Sequence, residues 1–137
     1  MLQAENAAPY RIAKPLGDYK KLNGLLAALQ GYGYAVEVVS WLAKGKTTKQ
    51  FDSAVRKNKR AWLRKYYPAI DLNNVHVVKH GTNKWRVSNY KGGILFDDES
   101  GNVHAWQRDT SSGKAVRIKD DTTLLDALES LIIQELE

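Results

Sequence analysis

The chain has 137 residues, of which 43% are hydrophobic and 26% are charged, a composition typical of a folded domain rather than a disordered chain. It contains no cysteine, which excludes disulfides, thiol catalysis and cysteine-based zinc sites, and which fits a reducing, cytoplasmic location. No apolar run approaches the roughly 20 residues of a membrane-spanning helix, and the first residues lack the pattern of a signal peptide. We therefore expect a cytoplasmic protein that forms one domain over residues 1–137 and does not contact membranes.

The formal net charge is +6, and it is unevenly distributed along the chain. Between Lys44 and Lys65 there are nine lysines or arginines and one acid, whereas six acids and one lysine lie between Lys119 and Glu137. A basic middle followed by an acidic tail indicates a polyanionic partner, DNA or RNA, for the middle. The alternative is a basic helix face that is simply solvated.

The first third of the chain predicts a loose N-terminal segment and two helices. Residues 1–16 are polar and alanine-rich and form a possible flexible arm. Asp18 can cap a helix over residues 19–30, whose leucines recur at helical spacing. The β-branched segment over residues 35–44 fits either a strand or a buried helix. We favour the helix, because Gly45 follows it as a stop signal.

The next helix carries the strongest local signals. Thr47 to Gln50 has the pattern of a capping box, and Pro68 ends the helix. Phe51, Val55, Trp62 and Tyr66 fall on one face at 100° per residue. The opposite face collects five cations, which we predict to be the nucleic-acid-binding residues of this helix: Lys49, Arg56, Lys57, Arg60 and Arg64.

The remaining sequence suggests strands and one last helix. "NVHVVK" and "KWRVSN" flank the turn signal "HGTN", and "GGILF" and "VHAWQR" flank "DDESGN", so both pairs predict hairpins. "KAVRIK" predicts a fifth strand, and residues 122–136 a helix capped by Asp120 and Asp121. The expected fold is α+β, with N-terminal helices, an antiparallel four- to five-stranded meander and a C-terminal helix.

Alternation along these strands predicts a second basic surface. In a strand, residues two apart share a face. If the polar faces of the two hairpins coincide, one sheet surface carries Lys84, Arg86, His104, Trp106 and Arg108. All three histidines, His76, His80 and His104, lie in this part of the chain.

These residues support two functions. Cations neutralise phosphates, and Trp106 on the sheet would stack on a base, which predicts nucleic-acid binding. Alternatively, His104 or His76 would supply acid–base catalysis and Arg86, Lys84 or Arg108 would bind the phosphate of RNA, which predicts a metal-independent ribonuclease. The spacing of the histidines does not suit a metal site, and no nucleotide-binding motif occurs, so we expect neither metal nor cofactor.

Two segments resemble known families. Residues 35–88, which include "VEVVSWLAKGKTTKQFDSAVRKNKR", are similar to a winged helix-turn-helix, which would place the basic helix in the major groove of DNA. Residues 47–108, with "TKQFDSAVRKNKRAWL", "GGILFDDESGNVHAW" and the closing "HAW", resemble the colicin D-type tRNA endonuclease domain. That resemblance implies that Trp106 is an active-site residue, with His104 at a position where the family has serine.

A third hypothesis is an inhibitor or adaptor from a mobile element that binds a protein partner. It rests on the C-terminal helix, whose leucines and isoleucine between Leu124 and Leu136 share one face beside an acid-rich tail. The alternative is that this face packs against the rest of the domain.

Overall fold

The structure, a computed structural model, describes residues 17–137, except for the side chains of Asp121 and Thr122. The predicted arm, residues 1–16, lies outside the described residues. The elements, in chain order, are α1 (Tyr19–Gly31), β1 (Val38–Trp41), α2 (Lys49–Tyr66), a 3-10 turn (Leu72–Asn74), β2 (Val75–Val78), α3 (Lys84–Val87), β3 (Leu95–Asp97), α4 (Ser100–Asp109), β4 (Ala115–Arg117) and α5 (Asp121–Leu136). None of the helices in this described part is long and apolar enough to cross a membrane.

The strands form two separate two-stranded sheets, and both are parallel. In the first sheet Val38 pairs with Val75 and Trp41 with Val78, and in the second Leu95 pairs with Ala115. Parallel neighbours require a crossover connection, which α2 supplies between β1 and β2 and α4 supplies between β3 and β4. The predicted antiparallel meander is therefore wrong, and the fold contains two strand–helix–strand units instead.

The first predicted hairpin is absent because β2 pairs in parallel with the earlier strand β1, not with the segment that follows it. After Val78 the chain turns at Gly81, whose φ of 87° favours glycine, and residues Lys84–Val87 form one helical turn, α3, rather than a strand. Pairing β2 with β1 places Val38 beside Val75 in the core under α2. This contact joins residues far apart in sequence, so the local turn signal could not reveal it.

The second predicted hairpin is a strand followed by a helix. The acidic segment after β3 begins α4, because the Asp97 carboxylate accepts the Glu99 N–H and the Glu99 carboxylate accepts the Gly101 N–H. Carboxylates stabilise a helix N-terminus, where backbone N–H groups have no partner within the helix. Val103 and Trp106, three residues apart, are the buried side chains of α4. "VHAWQR" thus follows the helical period, not the alternation of a strand.

Three helices were predicted correctly, and one was not. Asp18 caps α1 and Asp120 caps α5, as expected. The cap of α2 is Thr48, which accepts the Phe51 N–H, while Thr47 donates to the Asp52 carboxylate. The predicted helix over residues 35–44 is wrong, because its β-branched centre forms β1.

The best-packed core lies between α2 and the first sheet. Phe51, Val55 and Leu42 form one buried cluster. A second cluster contains Tyr66, Tyr67, Ile70 and Val75, and it extends to the partly buried leucines of α1. Helix α1 in turn packs along α5. This arrangement turns one face of α2 inward and leaves the opposite face to solvent.

Candidate nucleic-acid interface

Three cations on α2 point into solvent. Lys49, Lys57 and Arg64 are exposed, and on the helical wheel they lie opposite the buried Phe51 and Val55. Among residues 17–137, none of the three forms a hydrogen bond or an ion pair. At 1.5 Å per residue they extend over about 22 Å of the helix axis. We call Lys49, Lys57 and Arg64 the α2 basic face.

The loop that leads into α2 extends this positive surface. Lys44 and Lys46 are exposed between β1 and the helix. Asp52, in the first turn of α2, is partly buried and accepts a hydrogen bond from the Thr47 hydroxyl at 2.6 Å. The one acid between Lys44 and Lys65 in sequence is therefore partly shielded from solvent.

Arg56 and Arg60, which were predicted to bind phosphate, fold back onto the first sheet. Arg56 Nε donates to the Val77 carbonyl at 3.1 Å, and Arg60 donates to the carbonyls of Val75 and Leu72 at 3.1 and 2.8 Å. Alternate carbonyls of β2 point away from β1, and the two guanidinium groups bind them. Covering an open strand edge prevents pairing with another chain, so these arginines have a structural role.

Lys59 binds the other edge of the same sheet. Its ammonium group donates to the Trp41 carbonyl at 2.6 Å and to the Ser40 hydroxyl at 2.8 Å. Burial, and secondarily the nearby charge of Lys84, lowers the pKa of Lys59 to about 8. Helix α2 thus lies across the first sheet with basic side chains on both of its edges.

Lys84 is held inside the protein, not on a sheet surface. It lies on α3, its side chain is 16% exposed, and its ammonium group is 2.7 Å from the buried Asp97 carboxylate. The same carboxylate accepts from the Asn102 amide at 3.2 Å. The Lys84 ammonium group also lies 5.4 Å from the centre of the Trp41 ring. Lys84 therefore connects the two strand–helix–strand units through β1 and β3.

The other residues of the predicted sheet surface lie on helices and face different ways. Trp106 is 4% exposed and donates from its ring to the Gly93 carbonyl at 3.3 Å, whereas His104, two residues earlier on α4, is exposed. Arg86 is exposed on α3, and its guanidinium group lies over the Trp85 ring. Because the meander does not form, the predicted shared basic sheet face does not form either.

Arg108 has an acidic partner. Its guanidinium group donates twice to the Asp109 carboxylate, at 3.0 and 2.8 Å. This pairing raises the pKa of Arg108 and lowers the pKa of Asp109. The positive charge of Arg108, which was predicted to bind phosphate, is thus neutralised by Asp109 at this end of α4.

The three histidines lie in three different environments. His76 Nε2 is 2.9 Å from a carboxylate oxygen of Glu37, the ring of His80 lies 4.7 Å from that of Trp41, and His104 is on the exposed side of α4. Within the described residues, no group of three or more acidic or histidine side chains could hold a metal ion.

The Glu37 carboxylate is a nearly buried group with several partners that the sequence analysis missed. Its side chain is 9% exposed, and it accepts from the Ser88 hydroxyl, from the Asn89 N–H at 3.0 Å and, in one tautomer, from His76. One signal was available: an acid within the β-branched run "VEVV" is a candidate for burial with partners. Its partners, some 40 to 50 residues away, could not be read from that run.

No protein-family model, curated protein or solved structure matches the chain.

Proposed function

We propose that the protein binds nucleic acid in the cytoplasm through phosphate contacts from the α2 basic face and the lysines that precede it. The observation that supports this proposal is that the cations of α2 fall into two groups. Three of its cations bind the edges of the first sheet, whereas Lys49, Lys57 and Arg64 are exposed without an acidic partner among residues 17–137. Exposed cations aligned on one rigid helix, with no carboxylate paired to them, form a positive surface that attracts polyanions.

The proposed contact is with the backbone rather than with bases. Double-stranded DNA carries about one negative charge per 1.7 Å of its axis, so a cationic surface about 22 Å long meets several phosphates. Trp106, which the sequence suggested as a stacking platform, is buried. Phosphate contacts position a protein without selecting a sequence, so weak discrimination between sequences, and between DNA and RNA, is expected.

Salt dependence tests this proposal. Binding to a fluorescent 20-base-pair duplex and to a single-stranded RNA is measured by anisotropy at increasing salt concentration. If five phosphates are neutralised, the logarithm of the association constant should fall against that of the salt concentration with a slope of about −4.5 for the duplex and about −3.5 for the single strand. No binding at low salt, or a slope near zero, would contradict the proposal.

Charge-matched variants localise the contact. Lys57→Gln combined with Arg64→Gln should make the slope shallower by about 2, because two phosphate contacts are lost. Lys114→Gln combined with Lys119→Gln removes the same charge from exposed positions outside α2 and should leave the slope nearly unchanged. Equal effects of both pairs would assign binding to net charge, not to the α2 basic face.

The ribonuclease hypothesis stays a prediction, and the structure places His76 and His104 in different environments. His76 Nε2 is engaged by Glu37, and His104 lies exposed on α4.

The protein-partner hypothesis has one observation in its favour, since Ile133 and Leu136 near the end of α5 are 55% and 71% exposed. If this end of α5 docks on a partner, Ile133→Asp should abolish co-purification with it, while leaving the salt-dependent binding unchanged.

A further inference from the structure

The turn that follows β2 presents a histidine ring to solvent. The Thr82 N–H and the Thr82 hydroxyl both donate to the Lys79 carbonyl, at 3.1 and 2.7 Å, and close the turn. Gly81 has a φ of 87°, as the third residue of a type II turn requires. His80, the second residue of this turn, is exposed, and within residues 17–137 its ring forms no hydrogen bond or ion pair.

Trp41, at the end of β1, supports the His80 ring. The two ring centres are 4.7 Å apart, with their planes inclined by 57°. The Trp41 ring is itself held, because its N–H donates to the Thr82 carbonyl at 2.9 Å and the Lys84 ammonium group lies 5.4 Å from its centre. A side chain that is already packed against a fixed neighbour loses less conformational freedom when a ligand binds to it.

Exposed lysines lie at the same edge of the first sheet as this histidine. Because β1 and β2 are parallel, both strands end at this edge. Lys44 and Lys46 follow β1, Lys79 follows β2, and α2 begins here with Lys49, a member of the α2 basic face. All four lysines are exposed. The His80 ring therefore lies at the end of the molecule where the positive surface of α2 begins.

The carboxylates of the neighbouring segments are shielded from this surface. Asp52, in the first turn of α2, is partly buried, and Asp97, which pairs with the lysine of α3 beside the Trp41 ring, is 6% exposed. A different exposed ring, that of Tyr34, has an acidic neighbour, since its hydroxyl donates to the Glu135 carboxylate at 2.8 Å. His80 thus combines an exposed ring with a cationic surrounding, which suits a base attached to phosphates.

We propose that His80 stacks on an unpaired base of a nucleic acid whose phosphates lie along the α2 basic face. This inference rests on the proposed function and adds a substrate class to it, a duplex with a single-stranded end. Every base has a π-face on which an aromatic ring can stack, but the bases inside a duplex are covered by their neighbours. The base next to a duplex in an unpaired extension is accessible to the ring.

Three labelled probes of the same 20-base-pair duplex test this inference by anisotropy at one salt concentration. The first is blunt, the second has one strand extended by four adenosines at each end, and the third replaces these adenosines by abasic residues, which keep the phosphates and lack the bases. The adenosine probe should bind at least about fivefold more tightly than the abasic probe, the lower end of the effect of one stacked base.

The three probes separate the two proposals. If all of them bind with a steep salt dependence but the adenosine and abasic probes bind equally, the stacking inference is overturned and the proposed function stands. If none of them binds at low salt, both are overturned.

Matched variants test the position of the stacked base. His80→Ala should abolish the preference for the adenosine probe and leave both the affinity for the blunt duplex and its salt slope unchanged, whereas His80→Phe keeps a ring and should keep the preference. His104→Ala removes an exposed histidine from α4 and should change neither quantity. A preference that survives in His80→Ala, or that His104→Ala abolishes equally, overturns the inference.

Discussion

Removal of the Glu37 carboxylate should strongly destabilise the fold. Glu37→Ala leaves the Ser88 hydroxyl, which is 3% exposed, and the partly buried His76 ring without their acceptor. Hydrogen bonds to a charged group contribute about 1.5–3 kcal/mol each, and the exposed Asn89 N–H can recover one from water. We therefore expect the free energy of unfolding to fall by about 3–4 kcal/mol, a large part of the 5–15 kcal/mol typical of a domain.

The conservative variant and a surface control make this prediction specific. Glu37→Gln keeps the shape and one acceptor oxygen, so it should lose only about 1–2 kcal/mol. Glu129→Ala removes an exposed carboxylate that pairs with the exposed Lys21 and should leave stability nearly unchanged. The three variants are compared by urea unfolding followed by circular dichroism. A loss of less than about 1 kcal/mol for Glu37→Ala, or a loss no greater than that of Glu37→Gln, would contradict this role of the carboxylate.

Four further variants test the roles assigned to α2. Arg60→Met should lower the free energy of unfolding by about 1 kcal/mol, because two carbonyls lose their donor, whereas Lys57→Met should weaken nucleic-acid binding without affecting stability. Val55→Ala, at a side chain with 0% exposure, should cost about 2–3 kcal/mol in urea unfolding. Burial lowers the pKa of Lys59 from 10.5 to about 8, so the unfolded chain binds more protons between these values. The stability of the wild type should therefore rise from pH 8 to pH 10 relative to Lys59→Met, and a constant difference would contradict the assignment.

Local signals predicted the long helices because their determinants lie within a few residues. Asp18 and Asp120 cap α1 and α5, and the 100° spacing of Phe51 and Val55 identified the buried face of α2. The same spacing identified Lys49, Lys57 and Arg64 as outward-facing cations. Their exposure follows from the sequence, because a helix that buries one face must present the opposite face to solvent.

Local signals could not separate Arg56 and Arg60 from the other cations of α2. All five predicted cations lie on the same broad side of α2, but only Arg56 and Arg60 reach the carbonyls at the edge of β2. Whether an arginine meets a phosphate or a strand carbonyl depends on which strand packs beside the helix. That strand, β2, lies beyond the end of α2, and its position depends on pairing with β1.

The short elements were mispredicted because their local preferences are weak and their partners are remote. Three- and four-residue strands carry little periodic signal, and "HGTN" and "DDESGN" suit a hairpin turn as well as the start of a helix. Parallel pairing of β1 with β2 and of β3 with β4 placed Trp106 in the interior and His104 outside. Composition and helical period thus established a basic, helix-rich chain with an outward cationic face. The pairing of distant strands decided which cations bind strand carbonyls and where Glu37 is buried.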